Sequence, residues 1–220
     1  MDMLNVKKIV RCCAIVMAIL FAVQTNAQNR SVDFVAQLSF GHVGYLSPSN
    51  LSVINPSQSD INSLGIDLKA GVRFKCDLTV KAGFSTLGGT EFYYNDRTRE
   101  SAGTYYANLE LGKDFRINSW IVSPAIGVGF IGYTSNVIAD KLENDFNGTG
   151  FGANTELSIA YCLNEHFAIK ASVGAIYGSI TNLKTSRNNE ISREALDTFN
   201  HFGNYSIFAG KCTLGVEVCL

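Results

Sequence analysis

Four groups of residues in this 220-residue sequence have the types from which chemistry is built, and their spacing decides against each. Gly127, Gly129 and Gly132 in GVGFIG satisfy the G-x-G-x-x-G pattern of a dinucleotide cradle. That cradle needs a helix starting inside the motif, because helix N-terminal amides hold the phosphates. Here the glycines alternate with Val128 and Phe130, as in a strand. His42, His166 and His201 would serve general acid–base work if Ser, Asp or Glu stood beside them. They are scattered, and none opens a His-x-Ser pair. Asp140, Glu143, Asp145 and Asn147 in ADKLENDFNG carry oxygens that suit Ca²⁺, but without the spacing of an EF-hand loop. A solvated acidic loop is the simpler reading. Cys76, Cys162, Cys212 and Cys219 lack the CxxC or Cys/His spacing of zinc sites. Four cysteines allow three pairings, and free or adventitiously paired thiols are expected. No catalytic residue, cofactor or metal is therefore expected.

The elements that position these residues begin after a processed segment. Lys7, Lys8 and Arg11 precede the apolar run CCAIVMAILFAV from Cys12 to Val23, and Thr25 and Ala27 complete a small-x-small end. This is the layout of a secretory signal peptide, with cleavage expected after Ala27. The run is short of the roughly 18 apolar residues of a spanning helix. Residues 1–27 are assigned to the signal and residues 28–220 to one exported domain. Loss of Asp2, Lys7, Lys8 and Arg11 takes the formal charge from −1 to −3, and no basic patch calls for nucleic acid. Charged residues make up 17% of the chain, against about 25% in typical soluble domains. Something other than a wet, charged surface covers this protein.

Eight period-two segments follow. They run over Val32–Leu46, 65–74, 78–87, Tyr105–Lys113, Trp120–Thr134, Ala153–Tyr161, Phe167–Tyr177 and Tyr205–Leu220. Connections alternate between short (75–77, 114–119, 164–166) and long, polar ones (47–62, 88–104, 135–151, 178–204). Ile191, Ala195, Leu196, Phe199 and Phe202 would line a short helix over 191–202 in the last of these. The pattern predicts an all-β, eight-stranded antiparallel up-and-down barrel.

Two such barrels exist, with opposite insides. A soluble one lines a cavity with its aliphatic face; a transmembrane one turns that face to lipid. The polar file holds many small residues, which suit a crowded lumen, together with Lys69, Arg73, Lys81, Lys170 and Lys211 against Asp67, Glu110, Glu156 and Glu217. Five positives against four negatives is close to the neutrality that buried charges require. The apolar files carry no charge. Phe34, Phe74, Phe115, Trp120, Tyr161 and Phe167 sit at the short-turn end with outward parity, and Phe84, Tyr105, Phe130 and Tyr177 at the long-loop end. Two aromatic girdles around an aliphatic band mark the two membrane interfaces. The reading is a transmembrane barrel with its lumen plugged by salt-bridged charges, because eight strands leave no open aqueous pore.

On these features, over residues 32–220, the chain resembles the small outer-membrane β-barrel proteins of the OmpA and OmpX type from Gram-negative bacteria. The resemblance implies insertion by the barrel-assembly machinery, which reads a usually aromatic last residue; LGVEVCL keeps the alternation and ends in Leu220. It also implies a monomer in outer-membrane lipid with a structural or adhesive role and an extracellular partner for its long loops. A lipid-modifying enzyme, a small-solute porin and a soluble binder of apolar ligands are the competing expectations.

Overall fold

Alternating side chains hold the chain extended, and the computed structural model describes residues 32–46, 52, 62–95, 97–139, 142–185, 197 and 205–220. The strands are β1 (Val32–Tyr45), β2 (Asn62–Phe74), β3 (Leu78–Asn95), β4 (Thr98–Lys113), β5 (Phe115–Ile117), β6 (Trp120–Ala139), β7 (Leu142–Cys162), β8 (Phe167–Thr185) and β9 (Tyr205–Cys219). They pair in the order β4-β3-β2-β1-β9-β8-β7-β6-β5, and β4 also pairs with β6, which closes the ring. All pairings are antiparallel. The seam between first and last strands runs from Val35↔Cys219 to Tyr45↔Ala209. Phe34 and Leu220 extend it with reciprocal backbone hydrogen bonds of 3.0 and 2.8 Å.

β5 is the continuation of β4. Gly112 faces Ala125 and Phe115 faces Val122, so both segments hold one register against β6. The interruption falls at Lys113 and Asp114, where that register brings Pro124 and Ser123 opposite. Pro124 has no N–H to give the ladder. The wall is thus an eight-stranded antiparallel barrel, as the periodicity predicts.

The tight turns lie at one end. Asp77 (φ 60°) and Asn118 (φ 54°) occupy the left-handed region, which Asp and Asn tolerate better than other side chains. The N–H of Asp77 bonds the carbonyl of Phe74 at 2.8 Å and fixes the first turn.

At the opposite end the structure corrects the expectation. Residues 88–104 and 135–151 are not long loops: β3 runs to Asn95 with β4 starting at Thr98, and β6 runs to Ala139 with β7 starting at Leu142. β8 likewise continues to Thr185. Alternation persists there with its sense reversed. Ile131, Tyr133 and Val137 of β6 point inward and are buried, while Thr134 and Asn136 face out. On β3 the reversal coincides with a register shift between Thr86 and Gly89, made possible by Gly88 at φ 79°. A scan for outward apolar residues reads such a segment as loop. The helix expected over 191–202 lies outside the described residues except for Asp197, as does most of 47–61.

Candidate functional site

The inward-facing side chains divide by height into two storeys. The lower one, at the short-turn side, is polar. Lys69 on β2 reaches Glu110 on β4 at 2.8 Å and Glu156 on β7 at 2.7 Å. Lys211 on β9 reaches Asp67 at 2.6 Å and the same Glu156 at 2.9 Å. Arg73 bonds Asp114 through Nε at 2.6 Å and Glu217 through Nη2 at 2.7 Å. Lys81 and Lys170 both meet the second oxygen of Glu217 at 3.0 Å. Asn108 and Asn154 donate to Glu110 at 3.0 and 2.7 Å. Every one of these ionic side chains is at least nine-tenths buried. The charges nominated from sequence are therefore brought together across the lumen.

Sequence reasoning missed Asp114, which it placed in a turn. The carboxylate points inward where Pro124 interrupts the ladder, and Ser123 donates to it at 2.6 Å. Its inclusion gives five carboxylates for five cations. The shortfall of one negative charge in a closed lumen was the available signal. Around Glu217 and Asp114 the cations Arg73, Lys81 and Lys170 leave an excess of one positive charge. Around Lys69 and Lys211 the carboxylates Asp67, Glu110 and Glu156 leave one negative. The two excesses cancel, as burial in low dielectric requires.

The upper storey is apolar and was not anticipated. Val43, Tyr45, Leu87, Phe92, Tyr106, Ile131, Tyr133, Ile176, Ile180, Tyr205 and Ile207 belong to one buried cluster contributed from around the wall. Inside it the fully buried Glu100 accepts hydrogen bonds from Ser135 (2.6 Å), Ser52 (2.7 Å) and Tyr94 (3.1 Å). Burial pushes the Tyr94 phenol well above the ordinary tyrosine range, so it remains a donor.

Outside, the pattern is complementary. Leu109, Ile126, Val128 and Leu214 are 61–67% exposed on the middle of the wall. Nine of the ten aromatics nominated as girdle residues are exposed, and Phe34 is half-buried. They pair with rings that sequence reasoning left out: Phe130 with Phe151 at 4.7 Å and Tyr177 with Phe208 at 6.4 Å. Trp120 meets Tyr161 at 4.9 Å and Phe84 meets Tyr105 at 6.0 Å. From Trp120 to Phe130 is ten residues, roughly 25 Å of height on a tilted strand, the thickness of an outer-membrane apolar band.

The other candidate chemistry is not assembled. Gly127, Gly129 and Gly132 lie within β6. His42 bonds Asn62 at 3.0 Å on the outer face and His166 bonds the Cys219 carbonyl at 3.0 Å in a turn; His201 and Asp140 lie outside the described residues. Glu143 and Asp145 face outward, where the Asn136 amide donates to both at 2.9 and 2.8 Å. Among the described residues no group of three or more His, Cys, Asp and Glu could hold a metal, and the four cysteines are free.

A closed antiparallel wall, apolar outside over one bilayer thickness and polar inside at the same height, defines a transmembrane β-barrel. Residues 13–200 match the family described as outer membrane protein beta-barrel domain, and the chain belongs to it. No curated protein sequence matches. Among solved structures it is similar to a major outer membrane protein of Thermus thermophilus, with 11% identity, 87% of this chain and 100% of that one covered, and a TM-score of 0.58. Neisserial surface protein A is similar at 15% identity, 84% and 96% coverage and a TM-score of 0.53. The attachment invasion locus protein Ail of Yersinia pestis gives 15%, 87%, 100% and 0.53.

Proposed function

We propose that the protein is a closed, non-enzymatic outer-membrane barrel with a structural or surface-interaction role, exported through a cleaved signal peptide and working as a monomer. The observation that carries this reading is the filling of the lumen. Ion pairs cross it from β2 to β7 and from β9 to β2, and an apolar cluster overlies them. A barrel with no room inside does its work on the outside. The lipid-facing belt would anchor it, the barrel-assembly machinery would insert it, and the strands that project past the upper girdle would meet a partner at the cell surface. Neisserial surface protein A and Ail are named for the surface and for attachment, which is the kind of role proposed for these strands.

The test combines two measurements. Purified, refolded protein in a planar bilayer is expected to give no discrete conductance steps. A deletion strain is expected to become more sensitive to detergent, with unchanged lipid A masses. Conductance would instead support the porin reading, and an altered lipid A mass the enzymatic one.

A further inference from the structure

The lumen has two fillings in series, and they obstruct ions in different ways. We propose that the permeability barrier is the upper, apolar storey, and that the ion pairs beneath it are not the seal. This rests on the reading of the barrel as closed.

The lower storey is polar throughout. Its ion pairs share partners: Glu217 holds Arg73, Lys81 and Lys170, and Glu156 holds Lys69 and Lys211. An ammonium that leaves one carboxylate has another within the same network, and hydroxyls and amides from Ser39, Ser123, Asn108 and Asn154 line the path. Such a filling can be hydrated, and a passing ion finds an exchangeable partner at each step.

The upper storey offers far less: its buried polar groups, Thr104, Ser135, Asn144 and the Glu100 cluster, lie above its lowest layer and bear no network of exchangeable charges. Its lowest layer is built by Val43 of β1, Tyr106 of β4, Ile131 of β6, Ile176 of β8 and Ile207 of β9, each at most 2% exposed. These five belong to one cluster, so the contacts join opposite sides of the wall. The apolar inward file of β6 runs from Ile131 to Val137, broken only by Ser135. Six residues of tilted strand correspond to roughly 15 Å of height. A constriction of that depth excludes water, and with it ions, by dewetting. The only buried carboxylate within the cluster's height among the described residues, Glu100, is occupied by hydroxyl donors.

The inference is tested by conductance of two variants whose heat-modifiable gel migration confirms a folded barrel. Lys69→Ala/Glu156→Ala removes one cation and one carboxylate and keeps the lumen neutral. Ile131→Ala/Ile176→Ala/Ile207→Ala thins the apolar layer. The expected result is a closed charge-pair variant and discrete conductance steps from the triple variant. Should the triple variant not fold, Ile207→Ala alone is read in the same way. Conductance from the charge-pair variant, or a folded thinned variant that stays closed, overturns the inference. Conductance from the unaltered protein would overturn the closed-barrel reading itself, which separates the two failures.

Discussion

The ring of Tyr105 on β4 lies over Gly132, its paired residue on β6. A Cβ placed on Gly132 would collide with Cζ and Cε2 of that ring. The glycine thus makes the seat for an aromatic at the upper girdle, where the wall turns from apolar to polar on its outer face. Gly132→Ala forces the ring to swing away, which a side chain can do at a cost of about 1 kcal/mol. Gly129→Ala collides with the carbonyl oxygen of Ala107 and comes within 2.7 Å of Cα of Asn108. Backbone cannot swing aside, so this second substitution is expected to cost more, about 2–3 kcal/mol. Urea unfolding in lipid vesicles gives the order, and equal midpoints would contradict it.

Asp114 is expected to matter as much as the lumen charges that alternate with apolar residues. Asp114→Ala leaves Arg73 sharing Glu217 with Lys81 and Lys170, a buried positive excess of two. Breaking a buried pair in this way costs about 3–5 kcal/mol. Asp114→Ala/Arg73→Met removes both charges, and recovery of most of the loss is expected in the same unfolding assay.

The height of the membrane is tested by arginine on the outer face. Leu109→Arg, in the middle of the belt and 61% exposed, should lower unfolding free energy by about 2–4 kcal/mol. Ser101→Arg, exposed on the same strand above the upper girdle, should change it by less than about 0.5 kcal/mol. A comparable loss at both sites would mean that lipid reaches past Tyr105.

Alkaline titration probes the upper storey. Burial raises the Tyr94 phenol from the ordinary 10.0. A group with a raised folded-state pKa contributes stability below its unfolded value and loses it as pH climbs above that value. The folded protein should therefore retain a tyrosine that fails to ionise in the range near pH 10 where exposed tyrosines do, and Tyr94→Phe should remove one such group from the ultraviolet titration. Normal ionisation of Tyr94 would show the storey to be wet.

Export is tested by N-terminal sequencing of protein from an outer-membrane fraction. The expected first residue is Gln28. A chain that still begins at Met1 would turn the segment from Cys12 to Val23 into an uncleaved anchor.

What was legible in the sequence follows from local physics. Ile66, Leu68, Ala70 and Val72 alternate with Asp67, Lys69 and Arg73, and a strand must put those two sets on opposite faces whatever it packs against. A charged residue cannot face hydrocarbon without cost, so the uncharged file had to be the outer one. The faces of the middle segments and the near-neutral lumen come from that constraint, and the up-and-down strand order from the connections between successive alternating segments.

Tertiary structure alone decided where the alternation changes sense. On β6 the parity is the same throughout, but the apolar residues pass from the outward file, ending at Phe130, to the inward file, starting at Ile131, at the height where the surroundings of the wall pass from hydrocarbon to water. The interior must then supply the apolar side. Nothing local in Ile131, Tyr133 or Val137 announces that height, since each fits either face of a strand. Asp114 is the second case: it keeps the inward parity of Glu110 and Gly112 because β5 carries the β4 register on against β6, and its partners Arg73 and Ser123 come from other strands of the wall. Alternation is a property of the chain, whereas the medium on each side belongs to the assembled wall.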